Sequence, residues 1–135
     1  MTHKKQELII LETVKEILPS VIGVYLFGSQ TRGETHSKSD LDLGILNLAP
    51  ISGDEGFTLK SRLANALGCD IDIVDMRTAD TVTNAQILET ERLIFVGDHA
   101  LLDRFEGIAM AKYAQLNLER REILDDIERS GRVRV

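Results

Sequence analysis

The sequence predicts an α/β protein in which a short mixed sheet is flanked by helices and followed by one long C-terminal helix. Three observations carry that expectation. Short apolar or alternating runs at Val21–Phe27, 41–45 and 70–75 have strand length and strand composition, and segments with helical spacing lie around them. Glycine and proline fall mostly between those segments rather than inside them. From His99 to Arg129 the chain then continues with no breaker except Gly107, so it forms either one helix or two joined there.

The elements follow in order. Residues 2–18 place Ile10, Val14 and Ile17, with Leu11 and Leu18, at three- and four-residue spacings, the pattern of an amphipathic helix that Pro19 ends. Val21–Phe27 reads as a buried strand closed by Gly28. Ser29 is suited to cap a short helix running toward Arg32 and Gly33, and residues 34–39 are polar loop. Leu41, Leu43 and Ile45 alternate with Asp42 and Gly44, as expected of a strand with one face in the core. A turn-rich connection over residues 47–56 leads to a helix over 57–67, for which Gly68 is the natural C-terminal cap. The run 70–75 repeats the alternation, with Ile71 and Ile73 on one side and Asp70 and Asp72 on the other. Asp80 can cap a helix reaching Leu88, and residues 92–96 form a fourth strand. On the long helix, Phe105, Ala109, Tyr113, Leu116, Ile123 and Ile127 share a stripe that Arg120 interrupts.

Composition narrows the function classes. At 135 residues the chain suits one domain, 1–135, with a core over about 21–96 and a final helix over about 99–129 that is offered to a partner. Hydrophobic residues at 43% and charged residues at 28% exclude a disordered or fibrous chain. The net charge of -6, with no basic stripe, argues against direct binding along a nucleic-acid backbone. No run is long enough to span a membrane, and the first ten residues lack the apolar region of a secretion signal, so a cytoplasmic protein is expected. The single Cys69 excludes an internal disulfide and, with no local histidine cluster, argues against structural zinc.

The chemistry concentrates between Phe27 and Ile45. Gly28-Ser29 ends one apolar run, and Asp40-Leu-Asp42 begins the next ten residues later. In a strand Asp40 and Asp42 point to one face about 6.6 Å apart along the chain. Their repulsion, on the order of 2–3 kcal/mol at an effective dielectric near 20, calls for a counter-charge such as Mg²⁺. The amides of Gly28 and Ser29, at the start of a helix, can hold a nucleotide's phosphates, and Arg32 can reach them. The pattern suits metal-assisted nucleotidyl transfer, in which a third carboxylate near the metals deprotonates an acceptor hydroxyl. Asp72 is the choice for that role, with Asp70 left open on the same face. His36 and Lys38 belong to the polar loop, Tyr25 and Tyr113 read as packed rings, and Arg132 and Arg134 as a solvated end.

These residues resemble a known signature. Phe27-Gly-Ser and Ser39-Asp-Leu-Asp-Leu43 are similar to the Gly-Ser, about ten residues, Asp-x-Asp pattern of the nucleotidyltransferases of the DNA polymerase β superfamily, and Asp72-Ile-Val-Asp75 looks like their third-acid strand, which favours Asp72 over Asp70. The small size resembles the minimal nucleotidyltransferases that act as antitoxins of HEPN ribonuclease toxins. The resemblance implies a polymerase β-like nucleotidyltransferase fold and an enzyme that binds Mg²⁺ and ATP, moves AMP onto a tyrosine hydroxyl of its toxin and binds that toxin directly. It assigns Asp40, Asp42 and Asp72 to metal and catalysis, and Gly28 and Ser29 to the nucleotide. Two other readings stand beside it: an aminoglycoside-type enzyme modifying a small molecule, and an antitoxin that only binds.

Overall fold

Helix α1 (His3–Ile17) opens the computed structural model, which describes residues 2–27, 41–90 and 92–130. The expected turn of helix at Ser29–Arg32, the loop that follows it, and Arg132 and Arg134 lie outside the described residues. Thr2 caps α1, its hydroxyl accepting from the Lys5 amide at 3.2 Å, and Ile10 and Val14 on its inner face are fully buried. Four strands make the sheet: β1 (Val21–Phe27), β2 (Leu41–Asn47), β3 (Ile71–Asp75) and β4 (Leu93–Val96). Their spatial order is β3-β2-β1-β4. β1 pairs antiparallel with both β2 and β4, whereas β2 and β3 run parallel, so the sheet is mixed as expected.

A parallel pair needs a crossover, and helix α2 (Gly53–Leu67) supplies it. α2 begins four residues before the expected start at Phe57. Ser52 and Glu55 close a reciprocal cap: the Glu55 amide donates to the Ser52 hydroxyl at 3.1 Å, and the Ser52 amide to the Glu55 carboxylate at 2.9 Å. That pairing satisfies two free amides at once and outweighs the glycines at positions 53 and 56, which suggested a loop. Gly68 ends the helix at φ 69°, the left-handed cap its position predicts. α1 and α2 cover one face of the sheet, where Val14, Val24, Leu43, Ile45, Leu59 and Leu63 form the larger core.

The opposite face is covered by α3 (Thr81–Glu89) and the first part of α4 (His99–Ser130). Asp80 caps α3 as expected, its carboxylate accepting from the Thr83 amide at 2.7 Å. Tyr25, Leu46, Met76, Ile87 and Leu102 fill this second core. Because both faces are closed, all seven residues of β2 are buried, including the Asp42 and Gly44 side opposite the core face that the alternation marks. Gly44 permits that closure, since a Cβ there would sit 2.9 Å from Ile87 Cγ2 and 3.3 Å from Met76 Sδ.

α4 runs unbroken through Gly107, which is exposed; a single exposed glycine costs about 1 kcal/mol, too little to end a long helix. Its 32 residues span about 48 Å at 1.5 Å per residue. Only Leu102 and Ala109 are buried, so its distal half stands clear of the sheet, with Ile123 and Leu124 exposed. No described helix is long and apolar enough to cross a membrane.

Two substitutions test this packing. Gly44→Val forces its branch into Ile87 and should lower unfolding free energy by about 1–3 kcal/mol in urea titration, with the slope unchanged. Glu55→Ala should cost about 0.5–2 kcal/mol through the lost cap, in the same titration.

Candidate active site

β2 and β3 each begin beside an aspartate that the sequence marked. Leu41 pairs with Ile71 and Asp42 with Asp72, so the two acids are direct neighbours across a parallel ladder. Strands in a sheet lie about 4.8 Å apart, and residues in register share a face, which places both carboxylates on the side that α3 and α4 cover farther along. Asp42, on an inner strand, is only 9% exposed, whereas Asp72 lies on the edge strand and is open to solvent.

The other side of Asp42 is formed by β1, whose last residue, Phe27, is its partner in the antiparallel ladder. Gly28, Ser29, Arg32 and Asp40 fall between Phe27 and Leu41, outside the described residues. In sequence Gly28 follows Phe27 and Asp40 precedes Leu41. His36 and Lys38 lie in the same segment. Among the described residues no group of three or more His, Cys, Asp or Glu side chains is placed to hold a metal. The described pair supplies two oxygen donors, the ligand type that Mg²⁺ prefers.

The remaining acids of β3 differ in role. Asp70 precedes the strand, and its carbonyl accepts from the Leu41 amide at 3.2 Å, closing the ladder beside the Asp42–Asp72 pair. Asp75 is structural: Oδ2 accepts from the Ile51 amide at 2.9 Å and Oδ1 from the Arg77 amide at 3.0 Å. It pins the chain leaving β2 to the turn after β3. The resemblance singled out Asp72, the first acid of Asp72-Ile-Val-Asp75, and gave Asp75 no role.

Tyr25 packs its ring beside Gly44, as expected of a buried aromatic, and is 2% exposed. Its hydroxyl makes no hydrogen bond of ordinary geometry. Burial first, then the negative charge of Glu106 and of Asp103 on α4, push its pKa well above the ordinary value.

Comparisons with known proteins bear on the family and the fold. The family described as polymerase beta nucleotidyltransferase matches residues 9–100. The chain belongs to that family. The matched stretch ends at the first turn of α4. Over 118 residues the chain is 30% identical to the protein adenylyltransferase MntA of Shewanella oneidensis, covering 87% of this chain and 84% of the relative. A solved structure of a toxin–antitoxin pair with AMP-PNP matches with a TM-score of 0.73 and 30% identity, covering 90% of this chain and 98% of that one. A second, tri-AMPylated Shewanella oneidensis HEPN toxin in complex with MNT antitoxin, matches with a TM-score of 0.74 and 26% identity over 94% of this chain and 99% of that one. The nucleotidyltransferase fold that the sequence predicted is therefore the fold of this chain.

The two acids at opposite ends of β3 can be told apart by measurement. Asp75→Ala should lower stability by about 1–3 kcal/mol, because two backbone amides lose a charged acceptor, whereas Asp72→Ala should stay within about 0.5 kcal/mol. Tyr25→Phe should change stability at neutral pH by no more than about 1 kcal/mol, since burying the hydroxyl costs about what its contact with Glu106 returns. The native protein should also lose stability above about pH 10, where Tyr25 ionises in the unfolded chain but resists ionisation in the fold; the phenylalanine variant should lack that part of the loss in thermal melts across pH.

Proposed function

We propose that this nucleotidyltransferase is an antitoxin enzyme that transfers AMP from ATP to a tyrosine hydroxyl of a cognate HEPN toxin and thereby silences it. The observation that carries the reading is the register of Asp42 against Asp72, beside the strand end from which Gly28 and Ser29 continue. The similarity to protein adenylyltransferase MntA and to an antitoxin in complex with a tri-AMPylated toxin supports AMP as the group moved and a HEPN toxin as the acceptor. The similarity to a toxin–antitoxin structure with AMP-PNP supports ATP as co-substrate.

In this reading Asp40, Asp42 and Asp72 hold Mg²⁺, whose positive charge offsets the charge of the phosphates and of the reacting centre. The backbone amides of Gly28 and Ser29 hold the β- and γ-phosphates, and Arg32 adds a positive charge beside them. Asp72 accepts the proton of the tyrosine hydroxyl. The phenolic oxygen then attacks the α-phosphorus, a new P–O bond forms, the bond from that phosphorus to the bridging oxygen breaks, and pyrophosphate leaves with the electron pair. Asp72 suits the proton step because it is the solvent-open member of the pair, while the nearly buried Asp42 suits a fixed ligand. The toxin is also bound as a partner, and the exposed distal half of α4 provides surface for it.

The reading is tested with labelled ATP, Mg²⁺ and the purified toxin. Label should appear on a toxin tyrosine, and Asp72→Asn should slow its appearance by roughly 10²–10⁴-fold, the usual contribution of a general base. ATP with Mg²⁺ at about a hundred times its dissociation constant should stabilise the native protein by about 2.7 kcal/mol. The Asp42→Asn variant should gain little. Equal stabilisation of both proteins would overturn the metal assignment, and a tight toxin complex without label would leave a binding-only antitoxin.

A further inference from the structure

A cavity of about 110 Å³ lies past the end of β3, away from the Asp42–Asp72 end of the sheet. Its walls are the turn after β3, the first turns of α3 and the part of α4 from Phe105 to Lys112. Arg77, Thr81, Asn84 and Lys112 are the polar side chains that line it. Asn84 is 7% exposed. Its Nδ2 donates to the Met76 carbonyl at 3.0 Å, which fixes the amide plane, while its buried Oδ1 accepts no hydrogen bond among the described residues. A buried acceptor left without a donor points to a missing partner.

The charge at the cavity is positive. Arg77 and Lys112 are exposed, and neither forms an ion pair among the described residues. Arg77 donates through Nε to the Asn47 carbonyl at 2.7 Å, which leaves its terminal nitrogens as donors. The neighbouring carboxylates are engaged elsewhere: Asp75 accepts from the Ile51 and Arg77 amides, and Asp80 from the Thr83 amide. The start of α3, a nine-residue helix, adds the positive end of its dipole.

We infer that this cavity binds inorganic phosphate, held between Arg77 and Lys112 with one phosphate hydroxyl donating to Asn84 Oδ1. The inference goes beyond the transfer reaction and does not depend on it. One water takes up roughly 30 Å³ in the liquid, so the space suits a tetrahedral oxyanion and is too small for a nucleoside. Two unpaired cations select an anion. The orphan oxygen of Asn84 then selects among anions. A carboxylate or sulfate presents only acceptors at neutral pH, whereas phosphate keeps at least one hydroxyl. A phosphate monoester loses its last proton near about pH 6 and so is mostly without that donor. Bound there, the ion bridges the turn after β3 to α4 within one turn of Ala109, the last buried residue of that helix.

Calorimetric titration with phosphate at neutral pH and fixed ionic strength tests the site. One phosphate should bind per chain, with sulfate and O-phosphoserine at least tenfold weaker. Lys112 is exposed, so Lys112→Glu should melt as the native protein does but bind phosphate at least tenfold more weakly, and Lys112→Arg should restore binding. Asp42→Asn should bind phosphate as the native protein does. In the ¹⁵N-labelled native protein, phosphate should shift the Asn84 side-chain amide signals. An absence of binding at millimolar phosphate, native affinity in Lys112→Glu, or unmoved Asn84 signals overturns the assignment. Loss of binding in Asp42→Asn places the ion at the carboxylate pair instead and also overturns it. Sulfate binding as tightly as phosphate removes the role given to Asn84, and O-phosphoserine binding as tightly replaces the free ion with a phosphorylated segment; either result overturns the choice of ligand.

Discussion

The parallel pairing of β2 with β3 is the constraint on which the rest of this structure depends. It sets Asp42 beside Asp72, and it can exist only because the chain crosses over between the two strands. The crossover helix α2 has a second consequence. Leu59 and Leu63 on its inner face close one side of the sheet over β2, so the segment that brings the two acids together also builds the larger core. Burial of leucine-sized side chains there, each contributing roughly 1.5–3 kcal/mol, stabilises the register on which the site relies.

Charge placement follows from the same arrangement. An ionised carboxylate in the middle of a strand buried on both faces would be prohibitively costly to desolvate. Asp42, the second residue of β2, is itself only 9% exposed, and Gly44, two residues farther in, is where α3 closes on the strand. The edge strand divides its acids by function. Asp75 holds two backbone amides and fixes the turns at one end, whereas Asp72 toward the other end is exposed.

The chain beyond the catalytic unit has a different logic. Residues 9–100 match the nucleotidyltransferase family, and nearly all of α4 lies after them. Its first turns are needed by the fold, since Leu102 and Ala109 complete the second core. The exposed remainder adds surface without adding to that core, as a helix serving a partner would. In an antitoxin enzyme such a surface would raise the local concentration of the acceptor at the Asp42–Asp72 pair.

Local residue patterns by themselves determined which segments are helix and which are strand, because side-chain spacing encodes the period of each element. They also determined the family, through Gly28-Ser29 and Asp40-Leu-Asp42, and the limits of the caps at Asp80 and Gly68. The early start of α2 is also written in the sequence, since Ser52 and Glu55 have the spacing of a reciprocal cap. Tertiary structure alone decided that both faces of β2 are covered, because alternation in one strand cannot reveal whether a distant helix such as α3 packs on its polar side. It also decided that Asp72 rather than Asp70 stands opposite Asp42, and that Asp75 is occupied by backbone amides. Strand register and the partners of a carboxylate are relations between segments far apart in the chain, set by how the crossover docks rather than by any local pattern of residues.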